Sequence, residues 1–259
     1  MRTSRRPGGV ALTPDQWLAR VDFRPSVALR LVCFPHAGGG AAAFMRWLPG
    51  LPERVALCPV RPPGRESTWR EPLLRDVPSL ADGAFAALST LPPRPTVLLG
   101  HSLGAALAFE VARRMEAAGQ GPALLIVSAK PPVHLPSRAP VLAGLPDARF
   151  IAAVDATYGG IPAELLREPD LLAMMLPILR ADLGASEGYR PGVEPRLRCP
   201  VRVCYGVDDR AIDATQMPAW GELTSGPLEV EAFPGGHFYL FEGPGFVDAL
   251  HRELRRRLG

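Results

Sequence analysis

Gly100-His101-Ser102-Leu103-Gly104 lies between two apolar runs, Thr96–Leu99 and Ala105–Val111. A Gly-x-Ser-x-Gly turn between a buried strand and a helix forms a nucleophile elbow, in which the serine takes strained backbone angles. Glycines flank the turn because a Cβ at either position would collide with the neighbouring strand or helix. The elbow places Ser102 at the carboxyl edge of a sheet and at a helix N-terminus, where the dipole favours an oxyanion. The motif therefore predicts a nucleophilic serine on an α/β fold.

The rest of the chain alternates strands and helices around this elbow. Apolar runs bounded by turn residues predict six strands, at about 29–35, 55–60, 96–101, 123–129, 201–206 and 228–233. Helical stretches are predicted at about 41–48, 78–90, 103–118, 214–224 and 245–258. This order indicates a mostly parallel central sheet with helices on both faces. Right-handed crossovers then bring all the strand carboxyl ends to one edge, where ligands bind.

The segment 130–198 interrupts the alternation, and it is too long for a simple connection. It contains three predicted helical stretches, Asp147–Ala156, Ala163–Leu166 and Asp170–Leu183. Because it follows a strand end, we expect a helical lid insertion over the active edge. Six apolar side chains of the third stretch either line an acyl pocket or, as we expect for most of them, pack the lid on the body: Leu171, Leu172, Met174, Met175, Leu176 and Leu179. The α/β core is predicted over 1–129 and 199–259, with 1–16 as a loose tail.

Composition argues against several other classes of function. The net charge of +3 over 259 residues is too small to indicate nucleic-acid binding. No apolar run approaches the roughly 18 residues of a membrane span, and the basic N-terminus has no apolar stretch of a signal peptide behind it, which favours the cytoplasm. The four cysteines are expected to be buried free thiols: Cys33, Cys58, Cys199 and Cys204. We expect a monomer without metal, cofactor or membrane association.

A serine nucleophile needs a base, and the base needs an orienting acid. His237 follows the last predicted strand, and it is better placed as the base than the other four histidines, which are His36, His101, His134 and His251. The acid is expected directly after the strand at 201–206, where Asp208 and Asp209 are adjacent. Spacing alone does not choose between these two carboxylates. The chain order Ser, Asp, His is that of the α/β hydrolases.

An oxyanion hole requires two backbone N–H groups near the nucleophile. One is expected from Leu103, the residue after the serine. The other is expected from the loop after the first strand, Pro35–Gly40, whose glycines let the backbone approach a ligand closely. We select the N–H of Ala37 as this second donor.

With these residues the chain resembles a known family, the type II thioesterases that accompany modular polyketide synthases and non-ribosomal peptide synthetases. The similarity runs from about Trp17 to the C-terminus. It is carried by Leu31–Gly39, Pro63-Gly64-Arg65-Glu66-Ser67, the elbow, Leu176–Asp182, Tyr189, Gly206…Asp209 and Pro234–Phe238. The Phe-Pro-His-Ala-Gly-Gly and Pro-Gly-Arg-Glu stretches are far more specific than the elbow, which many unrelated hydrolases share.

The resemblance implies Ser102 as nucleophile, His237 as base and Asp209 as acid, with Ala37 and Leu103 as oxyanion donors. A common family pattern has a proline after the acid, whereas this chain has an arginine. The implied reaction is hydrolysis of acyl groups from the phosphopantetheine thiol of carrier-protein domains, which edits an assembly line and needs no cofactor of its own. The main alternative is a small-molecule carboxylesterase or lipase, because the triad does not prefer sulfur to oxygen. A macrocyclising thioesterase and an inactive binding module are further alternatives.

Three arginines, Arg61, Arg65 and Arg70, follow the strand at 55–60 and are expected at the active edge. Carrier proteins are commonly acidic, so we hypothesise that some of these arginines contact the phosphopantetheine phosphate or the carrier surface. Arg65 is explained equally well as the structural ion-pair partner of a neighbouring carboxylate.

Overall fold

The structure is a computed structural model, and it describes residues 13–137, 139–161 and 167–259. Its centre is a six-stranded sheet in the order β2-β1-β3-β4-β5-β6. The strands are Leu29–Phe34 (β1), Val55–Pro59 (β2), Thr96–His101 (β3), Leu124–Ser128 (β4), Val201–Gly206 (β5) and Leu228–Phe233 (β6). Every neighbouring pair is parallel. All six predicted strands are confirmed to within one residue at each end, and so is the parallel α/β fold.

Helices cover both faces of the sheet. Among the described residues the α-helices are Pro14–Trp17 (α1), Ala42–Met45 (α2), Val77–Ser89 (α3), Leu103–Ala117 (α4), Asp147–Tyr158 (α5), Pro169–Gly188 (α6) and Gly245–Leu258 (α7). Segments of 3₁₀ helix span Leu48–Gly50, Glu66–Thr68, Ala214–Leu223 and Tyr239–Phe241. The helix predicted at 214–224 is a 3₁₀ helix that contains Pro218, a residue with no N–H to donate to an α-helical ladder.

Side chains of the central strands alternate between two apolar cores. Val32 of β1 packs with Leu80 of α3 and Phe109 of α4 on one face. Leu31 packs on the other face with Phe44 of α2 and Leu250 of α7. Strands β1, β3 and β4 are buried along their whole length, as expected of parallel strands covered on both sides. The four cysteines are free and buried, as predicted.

The predicted lid segment lies over the carboxyl edge of the sheet. Leu142, Phe150 of α5 and Leu183 of α6 form a third, smaller apolar cluster, and Ala37 from the loop after β1 packs against it. Both described lid helices are longer than predicted, and the predicted stretch Ala163–Leu166 lies outside the described residues. No described helix is both long enough and apolar enough to cross a membrane.

The chain is folded further towards its N-terminus than predicted. Residues 1–12 of the predicted tail lie outside the described part. Helix α1 follows directly and buries Trp17. The guanidinium of Arg61 donates hydrogen bonds to the carbonyls of Asp15 and Gln16. Residues 13–16 are therefore held against the core, and the expectation of a loose tail is wrong for them.

Candidate active site

Ser102 lies at the sharp turn between β3 and α4. Its backbone angles are φ 56° and ψ −117°, a region that side-chain-bearing residues rarely adopt. A Cβ on Gly100 would lie 2.0 Å from the carbonyl oxygen of Gly104, and one on Gly104 would lie 2.1 Å from that of Phe34. Both glycines are therefore required by close backbone contacts, as the sequence predicts. The Ser102 N–H donates to the carbonyl of Ser128 over 2.8 Å and fixes the turn to β4.

His237 and Asp209 form a buried pair next to this turn. His237 Nδ1 lies 2.7 Å from Asp209 Oδ2, and their side chains are 3% and 0% exposed. The other carboxylate oxygen accepts the N–H of Ala211 over 2.9 Å. The neighbouring Asp208 is exposed to solvent, and so is Arg210, which replaces the proline of the family pattern. The structure thus places Asp209, and not Asp208, against the imidazole.

The loops that carry this pair approach each other closely where β5 and β6 end. A Cβ on Gly206 would lie 2.3 Å from the carbonyl oxygen of Gly236, so only glycine allows this approach. With Nδ1–H directed to the carboxylate, His237 Nε2 is left as the basic nitrogen. His237 and Ser102 line the same cleft, together with Ala37.

The two predicted oxyanion donors flank the serine from different loops. Leu103 is the first residue of α4, and Ala37 belongs to the loop after β1. Neither backbone N–H has a hydrogen-bond acceptor within the described part of the chain. Unpaired N–H groups at a helix N-terminus and at a glycine-rich loop suit a developing negative charge.

The loop that carries Ala37 is held by a buried ion pair. Arg65 donates to both carboxylate oxygens of Asp182 in α6, over 2.6 and 2.9 Å, and also to the carbonyl of Gly39 over 2.9 Å. Asp182 in turn accepts the N–H of Gly38 over 2.8 Å. This arrangement ties the lid helix to the oxyanion loop. Arg65 is therefore structural, and its partner lies 117 residues away in sequence and not beside it.

Breaking this ion pair is expected to destabilise the protein and the site together. Asp182→Asn leaves a buried guanidinium without its counter-charge, which costs about 3–5 kcal/mol of the free energy of unfolding. The matched control is Asp147→Asn. Asp147 is also a lid carboxylate paired with an arginine, Arg180, but it is 72% exposed. This exposed pair contributes only about 0–1 kcal/mol. Urea unfolding and kcat of both variants test the difference, and equal losses would contradict the assigned role of Asp182.

Two further buried or partly buried histidines, His36 and His101, lie near His237. Burial lowers the pKa of His36 to about 4 and that of the fully buried His101 well below its usual range. His101 Nδ1 lies 2.9 Å from Ser128 Oγ, which lies 2.7 Å from the hydroxyl of Tyr239. This buried chain holds the loop after His237 to the end of β4. Sequence reasoning missed this chain of contacts, because the position of His101 in a buried strand is its one local sign.

An apolar cleft of about 800 Å³, partly open to solvent, leads to Ser102. Four of the six apolar side chains that the sequence analysis names in α6 line this cleft, namely Leu172, Met175, Leu176 and Leu179. The expectation that most of the six only pack the lid on the body is therefore wrong. The other two, Leu171 and Met174, are exposed, 49% and 63% respectively. Tyr158 at the end of α5 also lines the cleft, and its ring centroid lies 4.8 Å from that of His237.

Residues suited to bind a metal are not clustered at this site. Within residues 13–137, 139–161 and 167–259, no group of three or more His, Cys, Asp or Glu side chains is arranged to hold an ion. The chemistry that the described residues support is acyl transfer through a serine, a histidine and an aspartate.

Comparisons with known proteins find similarity to thioesterases in sequence and in fold. The family profile described as "Thioesterase domain" matches residues 29–257. The chain is 38% identical over 252 residues to the "Probable cadicidin biosynthesis thioesterase" of Streptomyces griseus, covering 95% of this chain and 67% of that protein. It is 30% identical to "Gramicidin S biosynthesis protein GrsT" of Aneurinibacillus migulanus, covering 93% and 94%. Among solved structures, "the type II thioesterase BorB from the borrelidin biosynthetic cluster" is 35% identical with a TM-score of 0.83, covering 95% and 98%.

Proposed function

Because this chain belongs to the thioesterase family, we propose that it hydrolyses acyl thioesters on the phosphopantetheine arm of carrier-protein domains. In this role it removes stalled or incorrect acyl groups, so that a polyketide or non-ribosomal peptide assembly line can resume. The observation that carries the proposal is the buried His237–Asp209 pair, 2.7 Å apart, whose imidazole lines the same apolar cleft as the strained Ser102. The solved type II thioesterases that this chain resembles support the choice of substrate class.

The proposed reaction proceeds in two acyl-transfer steps. Ser102 Oγ attacks the thioester carbonyl while His237 accepts the hydroxyl proton. The N–H groups of Ala37 and Leu103 stabilise the oxyanion, and His237 then protonates the departing thiol. Water activated by the same imidazole attacks the acyl-serine and releases the acid and the free hydroxyl. Asp209 keeps the imidazole in the tautomer that leaves Nε2 basic, and it stabilises the imidazolium that forms.

Of Arg61, Arg65 and Arg70, we expect Arg70 to contact the carrier protein or its phosphopantetheine arm. Arg65 is engaged with Asp182, and Arg61 donates to backbone carbonyls of α1. Arg70 is exposed, with its guanidinium 4.6 Å from the ring centroid of Trp69, which is itself 58% exposed. An exposed cation on an aromatic face suits the phosphate of the arm or an acidic carrier surface.

A comparison of leaving groups tests the proposal against the carboxylesterase alternative. The same propionyl and octanoyl groups are presented on a carrier protein and as p-nitrophenyl esters. We expect kcat/KM to be about 10–100-fold higher for the carrier thioesters, because a charge-assisted contact to the arm contributes about 1.5–3 kcal/mol. Arg70→Ala is expected to remove much of this difference, with Arg54→Ala as the control at another exposed arginine. Faster turnover of the oxygen esters would favour the esterase.

A further inference from the structure

A second cavity lies beside the apolar cleft, between the segment after β4 and helix α6. It is partly open to solvent, and its volume is about 640 Å³. Its wall carries several polar and charged side chains, namely Lys130, Ser137, Ser186, Glu187 and Arg190. No step of the proposed reaction uses these side chains.

The cleft and the second cavity share a wall. Tyr158 of α5 and Leu183 of α6 line both of them. Burial, with the carboxylates of Glu187 and Asp209 nearby, raises the pKa of Tyr158 to about 12, so the phenol is uncharged. The described residues offer its hydroxyl no hydrogen-bond partner. A single neutral ring and a leucine thus separate the reacting groups from the polar cavity.

Lys130 gives the second cavity a cation that forms no ion pair with the residues that the structure describes. Its ammonium donates to Ser186 Oγ over 2.7 Å, and no described carboxylate lies within 4.0 Å of it. Burial lowers the pKa of Lys130 to about 8, the nearby Arg190 acts in the same direction, and Glu187 opposes them. The carboxylate of Glu187 already accepts the N–H groups of Leu142 and Ala143.

A carboxylate brought into this cavity would meet the half-buried ammonium of Lys130 and the guanidinium of Arg190. Such charge-assisted contacts are stronger than neutral ones, and they would supply Lys130 with a counter-ion. Among the described residues that line the cavity, Arg190 is the other cation; it is exposed and donates to the carbonyl of Tyr189. The cavity therefore complements a negative group at the end of an apolar chain.

We propose that the second cavity is a distal acyl subsite, entered past Tyr158, which takes acyl chains that end in a carboxylate. The proposal rests on the proposed function, because the acyl chain of the substrate reaches the second cavity only while its thioester carbonyl lies at Ser102 in the cleft. Short acyl groups end in the apolar cleft. Longer chains displace the Tyr158 ring and place their far end beside Lys130.

The test uses N-acetylcysteamine thioesters of equal chain length that end in a methyl, a carboxamide or a carboxylate. Above a threshold length we expect kcat/KM for the carboxylate to exceed that for the carboxamide by about 10–100-fold. This ratio is expected to fall to about 1 in Lys130→Met and to be retained in Lys130→Arg. The ratio also falls as the pH rises through about 8, where the Lys130 ammonium loses its proton and with it the charge that attracts the carboxylate. An unchanged ratio in Lys130→Met would overturn the proposal.

Variants of the shared wall give an independent measurement. Tyr158→Ala is expected to raise kcat/KM for long methyl-ended chains relative to short ones, whereas Tyr158→Phe keeps the wild-type threshold. Equal length profiles in all three proteins, or no preference for carboxylate in the wild type at any length, would also overturn the subsite. Both measurements require that the wild-type protein hydrolyses short acyl thioesters. If the wild type hydrolysed no thioester at all, that result would contradict the proposed function and not the subsite.

Discussion

Ser102→Ala is expected to lower kcat for acyl-carrier hydrolysis by on the order of 10⁶-fold, the loss typical of removing a serine nucleophile from such a constellation. The residual rate comes from the oxyanion donors and substrate binding. The side chain of Ser102 makes no capping hydrogen bond to α4, so its removal leaves the helix intact. Single-turnover hydrolysis of a propionyl carrier measures the effect. Ser67→Ala is the control, because Ser67 is an exposed serine close to the same edge.

A second substitution at the same position separates activity from stability. Ser102 has φ 56°, where glycine is favoured over any residue with a Cβ. Ser102→Gly is therefore expected to be as inactive as the alanine variant. Its free energy of unfolding, measured with urea, is expected to exceed that of the alanine variant by about 1 kcal/mol. Undiminished hydrolysis in either variant would remove the serine from the mechanism. Equal stability of glycine and alanine would show that the turn stores no strain.

The elements predicted correctly are those that local sequence encodes. Buried parallel strands are continuous apolar runs, and the elbow is fixed by contacts of Gly100 and Gly104 with adjacent backbone. The order of Ser102, the aspartate pair and His237 along the chain indicated which loops meet. These features need no knowledge of distant contacts, because the topology of a parallel sheet brings the strand ends together.

The features missed depend on contacts that no local pattern encodes. Arg65 meets Asp182 across 117 residues, and the pairing follows from how α6 lies on the oxyanion loop. Tyr158 reaches His237 because α5 ends there, two residues after the predicted end. The expectation that most of the apolar side chains of α6 pack on the body was wrong, because a lid helix is apolar towards both the core and the substrate and no local pattern separates the two.

The adjacent carboxylates give the second large effect, because only one of them faces the imidazole. Asp209 supplies two acceptors, one to His237 Nδ1–H and one to the N–H of Ala211. An asparagine has a single carbonyl oxygen, so Asp209→Asn leaves one of these buried donors unpaired or forces the imidazole into the wrong tautomer. We expect kcat to fall about 10⁴-fold.

Asp208→Asn is the matched control, since it makes the same chemical change one residue earlier on an exposed side chain. Its kcat is expected to stay within about twofold of the wild type, because an exposed carboxylate that does not contact the base contributes little to transition-state stabilisation. Both variants are compared by kcat on the same acyl carrier, with circular dichroism to show that they are folded. If Asp208→Asn caused the larger loss, the loop after β5 would have to present the other carboxylate to His237 during turnover, and the buried Asp209 would be only structural.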